Sequence, residues 1–149
     1  LDWQLVVVGG GSEKDQVVKA FSNTAKRVCF TGVLEETEIA QLLTAADVFA
    51  WPAINEAFGM AILEAHRNGL PVVAGYTDGV AATVVDTQTG FLTPAGDPVS
   101  FAKAISSLIQ DASIRAQMAK NARDKFLEQH TVELAAETIQ FFLSQIKTQ

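Results

Sequence analysis

A single cysteine, Cys29, rules out a disulfide within the chain. It lies in the apolar run Val28-Cys29-Phe30 and reads as a buried, inert thiol. No apolar run approaches the roughly 18 residues that a membrane-spanning helix needs. Leu1-Asp2-Trp3-Gln4 runs directly into an apolar strand, without the basic n-region and small-residue cleavage site of a signal peptide. Positive charge is scarce: 11 Lys and Arg stand against 17 Asp and Glu, a net charge of −6 with no basic run. Nucleic acid and anionic membrane surfaces are therefore poor partners for this segment. His66 and His130 are the only histidines, and neither has a Cys, His or carboxylate at ligand spacing, so no metal site is expected. Ser12 and Ser22 lack the context of a catalytic triad. The absence of an initiator Met suggests a piece of a longer, cytoplasmic protein.

What remains is globular in composition: 149 residues, 48% apolar and 19% charged, enough for one domain with a core. Short β-branched runs alternate with helical stretches. Strands are expected at Gln4–Val8, Arg27–Thr31, Val48–Trp51, Val72–Gly75 and Gly90–Thr93. Between them lie helical segments at Asp15–Ser22, Glu36–Ala45 and Phe58–Asn68, the last closed by Gly69 and Pro71. Asp97-Pro98 is a helix start, with an N-cap acid followed by Pro at the first helical position. Its stripe is Phe101, Ile105, Leu108 and Ile109; helices over Ser113–Gln129 and Val132–Ile146 follow, the latter with Leu134, Ile139, Phe142 and Leu143, all expected to pack in the core. Alternating strands and helices predict βαβ units. The continuous apolar character of Leu5-Val6-Val7-Val8 and Val72-Val73-Ala74 predicts a parallel sheet covered on both faces. The fold class is thus α/β: a Rossmann-like doubly wound parallel sheet of about five strands, with helices on both faces and a helical C-terminus.

The chemistry concentrates in Trp51-Pro52-Ala53-Ile54-Asn55-Glu56-Ala57-Phe58-Gly59-Met60-Ala61-Ile62-Leu63-Glu64-Ala65. Pro52 ends the third strand, so the residues after it form a loop at the carboxyl end of a parallel strand, where open α/β sheets bind ligands. Gly59 opens the next helix without a side chain, leaving the amides of Gly59, Met60 and Ala61 approachable. Those amides and the helix dipole suit a diphosphate without a lysine. Glu64 lies about 7.5 Å further along the axis, where an ionised carboxylate accepts from both hydroxyls of a ribose diol. As an isolated carboxylate in an apolar stretch it is expected to be retained for function. Glu56, on the loop, faces the place of a sugar.

The Glu56-to-Glu64 segment resembles the Glu-x7-Glu motif of the family 4 (group 1) retaining glycosyltransferases of the GT-B fold, specifically their C-terminal donor-binding domain. The order of the surrounding segments is similar from about Leu5 to Arg123. The Gly9-Gly10-Gly11 turn resembles the one near the nucleotide, and Gly32 the strand end beside the base. The resemblance implies a UDP- or GDP-sugar as donor substrate, with no separate cofactor. It places Glu56 at the donor sugar near the reacting carbon, Phe58, Gly59, Met60 and Ala61 as backbone donors to sugar and diphosphate, and Glu64 on the ribose. Hexosyl transfer by front-face attack, the leaving diphosphate helping to take the acceptor proton, needs no protein nucleophile. A missing Asp-x-Asp pair argues against a metal-dependent GT-A enzyme.

Against that family pattern the acceptor-binding N-terminal domain and the first strand and helix of the donor domain, with their Arg and Lys, are absent. Residues 1–149 then form a donor-binding fragment, inactive by itself, whose incomplete sheet offers a route to self-association. Attachment to the inner membrane would come through the absent domain. Ala53 stands where Ser is frequent, and Ala82, in the loop-like Asp78–Val84, where Glu is common. A non-catalytic nucleotide-sugar-binding or regulatory module is the alternative these departures leave. Lys14 occupies the third glycine position of a dinucleotide fingerprint, so Gly9-Gly10-Gly11 is read as a tight turn.

Overall fold

The computed structural model describes residues 1–146; the last three positions of the expected 1–149 domain lie outside the described residues. The chain divides into two compact units, Leu1–Leu42 and the residues from Leu43 onward. Five strands form, as expected, and every pairing is parallel, but they make two sheets: β1 (Leu5–Val8) with β2 (Val28–Gly32), and β3 (Phe49–Trp51), β4 (Val72–Gly75) and β5 (Gly90–Thr93) in that order. Among the described residues no ladder joins the two sheets.

In the first unit, β1 leads to α1 (Lys14–Ala20), a 3-10 stretch over Ser22–Arg27 kinked at Thr24, and β2. The expected helix over Asp15–Ser22 is therefore shorter and tightens into this second turn. The expectation that β1 is covered on both faces fails: Val6 and Val8 are 44% and 42% exposed, while Leu5 and Val7 are half-buried. Alternating side chains point to opposite faces, and only one face of this two-stranded sheet is covered. Cys29 pairs with Val6 on the bare face and is exposed, not buried as expected.

In the second unit both faces of β4 are covered, and Val72–Gly75 is buried throughout. Val73 packs with Leu108 of α5 (Pro98–Gln110) and Met118 of α6 (Ala112–Gln129), joined by Phe101, Ala104 and Ile105. Phe101, Ile105 and Leu108 are part of the stripe expected from the sequence; Ala104 joins this cluster where Ile109 was expected. Asp97 caps α5 through Oδ1, which accepts from the Val99 and Ser100 amides at 3.0 and 3.2 Å, with Pro98 at the first helical position. α3 (Met60–Arg67) lies against β3, β4 and α6. It ends in the Schellman pattern, Leu70 N–H to Ala65 C=O and Gly69 N–H to His66 C=O at 3.0 and 2.9 Å, with Gly69 at φ +71°. Asp78–Val84, read as a loop, instead contains a short helix, α4 (Asp78–Thr83). α7 (Val132–Ile146) forms where expected but buries no residue. Ile139, Phe142 and Leu143 are exposed and only Leu134 of the expected stripe is half-buried, so among the described residues no second layer covers this helix. No helix among the described residues is long and apolar enough to cross a membrane.

Gly90 pairs with Val72, and a Cβ on it would overlap the Val72 main chain. Gly90→Ala should thus destabilise the second unit by roughly 3 kcal/mol, read as a lowered urea midpoint. His66, on the buried face of α3, is fully enclosed, and neither ring nitrogen has a hydrogen-bond partner. Burial, with smaller contributions from the Lys125 and His130 charges, lowers its pKa to about 4. The unfolded chain binds a proton near pH 6.5 and the folded one only near about 4. Stability should therefore be full above about pH 6.5 and fall by the order of 3 kcal/mol as pH drops to about 4. Urea melts of wild type and His66→Gln across that range check this: the variant should lose most of the pH dependence.

Candidate functional site

Trp51 ends β3, and Pro52, which lacks an amide N–H, stops the ladder there. The chain then loops at the carboxyl edge of the three-stranded sheet before Gly59 turns it into α3. Gly59 is the N-cap, with φ +82° and ψ 52° in the left-handed region that favours glycine. The loop is tied to the neighbouring strand end. Thr77, just past β4, donates its hydroxyl to Glu56 C=O at 2.9 Å and accepts from Val80 N–H at 3.2 Å, capping α4. Gly75 and Gly79 meet the main chain of Ala53 and Ala57 so closely that a Cβ on either would overlap it. Two loops at one sheet edge are thus locked together by one hydroxyl and two bare α-carbons.

Within this frame the Glu56 carboxylate turns back over the start of α3. Its Oε1 accepts from Gly59 N–H at 3.1 Å and more distantly from Phe58 N–H at 3.4 Å, and its Oε2 accepts from the Trp51 indole N–H at 3.2 Å. The Phe58 amide first, then those of Gly59 and the Trp51 indole, stabilise the anion and lower its pKa below the usual carboxylate range; modest desolvation opposes them. Trp51 is fixed by near-parallel stacking on Phe49, with centroids 5.7 Å apart. A cleft of about 300 Å³ lined by Trp51, Pro52, Ala53, Ile54, Asn55 and Glu56 opens beside the carboxylate, at the small end of ligand sites.

The amides of Met60 and Ala61 have no acceptor among the described residues. They are the free donors at the helix N-terminus, since Phe58 and Gly59 already donate to Glu56. Phe58 and Met60 present exposed side chains here. Glu64 follows one turn after Met60 on the exposed side of α3, opposite the buried Ile62, Leu63, Ala65 and His66. Contrary to expectation, Glu64 is therefore not an anomalous carboxylate in apolar surroundings: the apolar neighbours belong to the other face of an amphipathic helix. Its exposure leaves it open to a ligand.

The structure thus brings Glu56, Phe58, Gly59, Met60 and Ala61 together, with Glu64 one turn along. Gly10 and Gly32 belong to the first unit, where the adjoining Gly9 N–H donates to Gly32 C=O at 2.7 Å. Gly32 needs its glycine, at φ +76°. Sequence reasoning missed the roles of Thr77, Gly79 and Trp51. Thr77-Asp78 was legible as a helix start. Nothing in the spacing announced that an indole five residues before Glu56 would reach its carboxylate.

The family described as glycosyl transferases group 1 matches residues 1–125. D-inositol 3-phosphate glycosyltransferase from Corynebacterium diphtheriae is 35% identical over 123 residues, covering 78% of this chain and 29% of that protein. Sulfoquinovosyl transferase SQD2 from Arabidopsis thaliana is 33% identical over 125 residues, covering 82% and 24%. The chain accordingly spans less than a third of the length of these relatives. Among solved structures, Anabaena HepE in complex with UDP-glucose superposes with a TM-score of 0.80 at 30% identity, over 95% of this chain and 41% of that one. With five parallel strands, the Glu56-to-Glu64 segment at a strand's carboxyl end and a family match over most of its length, the chain belongs to the group 1 glycosyltransferases.

Proposed function

We propose that this chain binds the diphosphate sugar donor of a retaining hexosyl transfer reaction, as the donor-binding part of a longer enzyme whose acceptor-binding part lies outside it. The observation that carries the reading is the start of α3: two unpartnered amides, Met60 and Ala61, flanked by the ionised Glu56 on one side and the exposed Glu64 on the other. The amides and the helix dipole offer a diphosphate partial positive charge. Glu56, an acceptor only while ionised, suits sugar hydroxyls, which donate to it. Its negative charge, already held by Phe58 and Gly59, would repel a phosphate placed directly on it. The diphosphate therefore belongs over Met60 and Ala61, and the sugar beside Glu56. Glu64, one turn on, suits the ribose diol. The likeness to HepE, whose complex contains UDP-glucose, favours a UDP-sugar.

Glu56 is assigned no nucleophilic role. Its oxygens are engaged by three N–H groups, which weakens a carboxylate as a nucleophile and fits a group that orients the donor. Gly10 and Gly32 are assigned to the nucleotide on the family resemblance alone.

An NMR titration of the chain with UDP, GDP, UDP-glucose and GDP-mannose tests this. One nucleotide should shift Met60, Ala61 and Glu64 selectively. Glu64→Ala should lower affinity for it about tenfold, the worth of a hydrogen bond to a charged group, with an unchanged melting temperature because the side chain is exposed. Unchanged affinity in the variant would remove the ribose role, and no shift with any nucleotide would remove the donor reading.

A further inference from the structure

Trp51 sits at the end of β3 with its ring stacked on Phe49 and its only polar atom aimed at Glu56. The two rings lie 15° from parallel, and residues two apart on a strand share a face, so the indole's direction is set by the sheet and not by the loop. The three donors divide the carboxylate unevenly. Oε1 takes both amides of the loop, and Oε2 takes only the indole N–H. Without that third bond the carboxylate would still be attached through Oε1, yet free to rotate about its terminal torsion, which is broad for a carboxyl group. With it, both oxygens are fixed, and each keeps acceptor capacity for a hydroxyl. Those oxygens border the cleft of about 300 Å³ that Trp51 and Glu56 line together.

We propose that Trp51 is a positioning residue for the donor sugar: its indole N–H locks the Glu56 carboxylate plane so that Oε2 presents a directed acceptor to a sugar hydroxyl in the adjoining cleft. This rests on the donor-binding reading above. It adds that sugar recognition, as distinct from nucleotide recognition, depends on a residue that need not touch the nucleotide. A tryptophan used only as core filler would be replaceable by phenylalanine. A tryptophan used for its N–H would not be.

Trp51→Phe leaves an aromatic ring to stack on Phe49 and removes the N–H donor, together with the second ring of the indole. Two readouts are followed in the full chain: the pH titration of the Glu56 side-chain carboxyl carbon by NMR without ligand, and affinities for UDP and UDP-glucose. In the variant the Glu56 pKa should rise, UDP-glucose should bind roughly three- to tenfold more weakly, the worth of one hydrogen bond, and UDP affinity should stay unchanged. In the wild type the Trp51 indole N–H resonance should move with the Glu56 titration and stop doing so in Glu56→Gln, a measurement that holds even if Trp51→Phe fails to fold. An indole resonance indifferent to Glu56, or a folded Trp51→Phe with wild-type UDP-glucose affinity, overturns the positioning role while leaving the donor reading intact. Equal losses for UDP and UDP-glucose overturn it as well, since they point to a general disturbance of the loop. A wild-type chain that binds neither ligand overturns the donor reading, and the positioning role falls with it.

Discussion

The site depends on a carboxylate held by main-chain amides. Glu56 bonds the N–H groups of Phe58 and Gly59, so the loop after β3 closes on itself and delivers the chain to α3 in one conformation. A helix N-terminus leaves amides unsatisfied; here Glu56 meets those just before the helix and leaves the next two open. The left-handed Gly59 makes that division possible, since it reverses the chain between the engaged amides and the free ones. Thr77 and the bare α-carbons of Gly75 and Gly79 press the neighbouring strand end against the same loop.

α3 joins the fold to the chemistry. One side, Ile62, Leu63, Ala65 and His66, is core; the other carries Met60 and Glu64. Its position is fixed by packing against β3, β4 and α6, so the free amides at its start inherit the rigidity of the sheet. Sites built on such elements hold their geometry better than sites made of loop alone.

The strands, the caps at Asp97 and Gly69, and the motif at the edge of β3 were legible in the sequence, because each rests on local chemistry: β-branched runs, an acid before Pro, a glycine after a helical stripe. What was not legible depended on partners distant in the chain. Cys29 and Val6 read as core because an apolar run does not reveal whether a second layer covers it. The stripe on α7 is real, yet periodicity alone does not supply a surface to cover it, and none does so among the described residues. Glu64 looked anomalous in a linear string and ordinary once the helix separated its faces. Trp51 gave no signal at all, since its bond to Glu56 exists only through the direction of the strand end and the turn at Pro52. The family resemblance points to the candidate site; the Glu56 hydrogen bonds show which of its amides are already engaged.

The burial of β4 has a kinetic consequence. Val72–Gly75 pairs with β3 on one side and β5 on the other and has no exposed residue, so its amides should be among the last in the second unit to exchange with solvent. β3, which bears Trp51, is bonded directly to it. The loop carrying Glu56 is therefore anchored to a strand that pairs with the most buried one. The free amides of Met60 and Ala61 thus sit one loop away from the part of the unit that opens last.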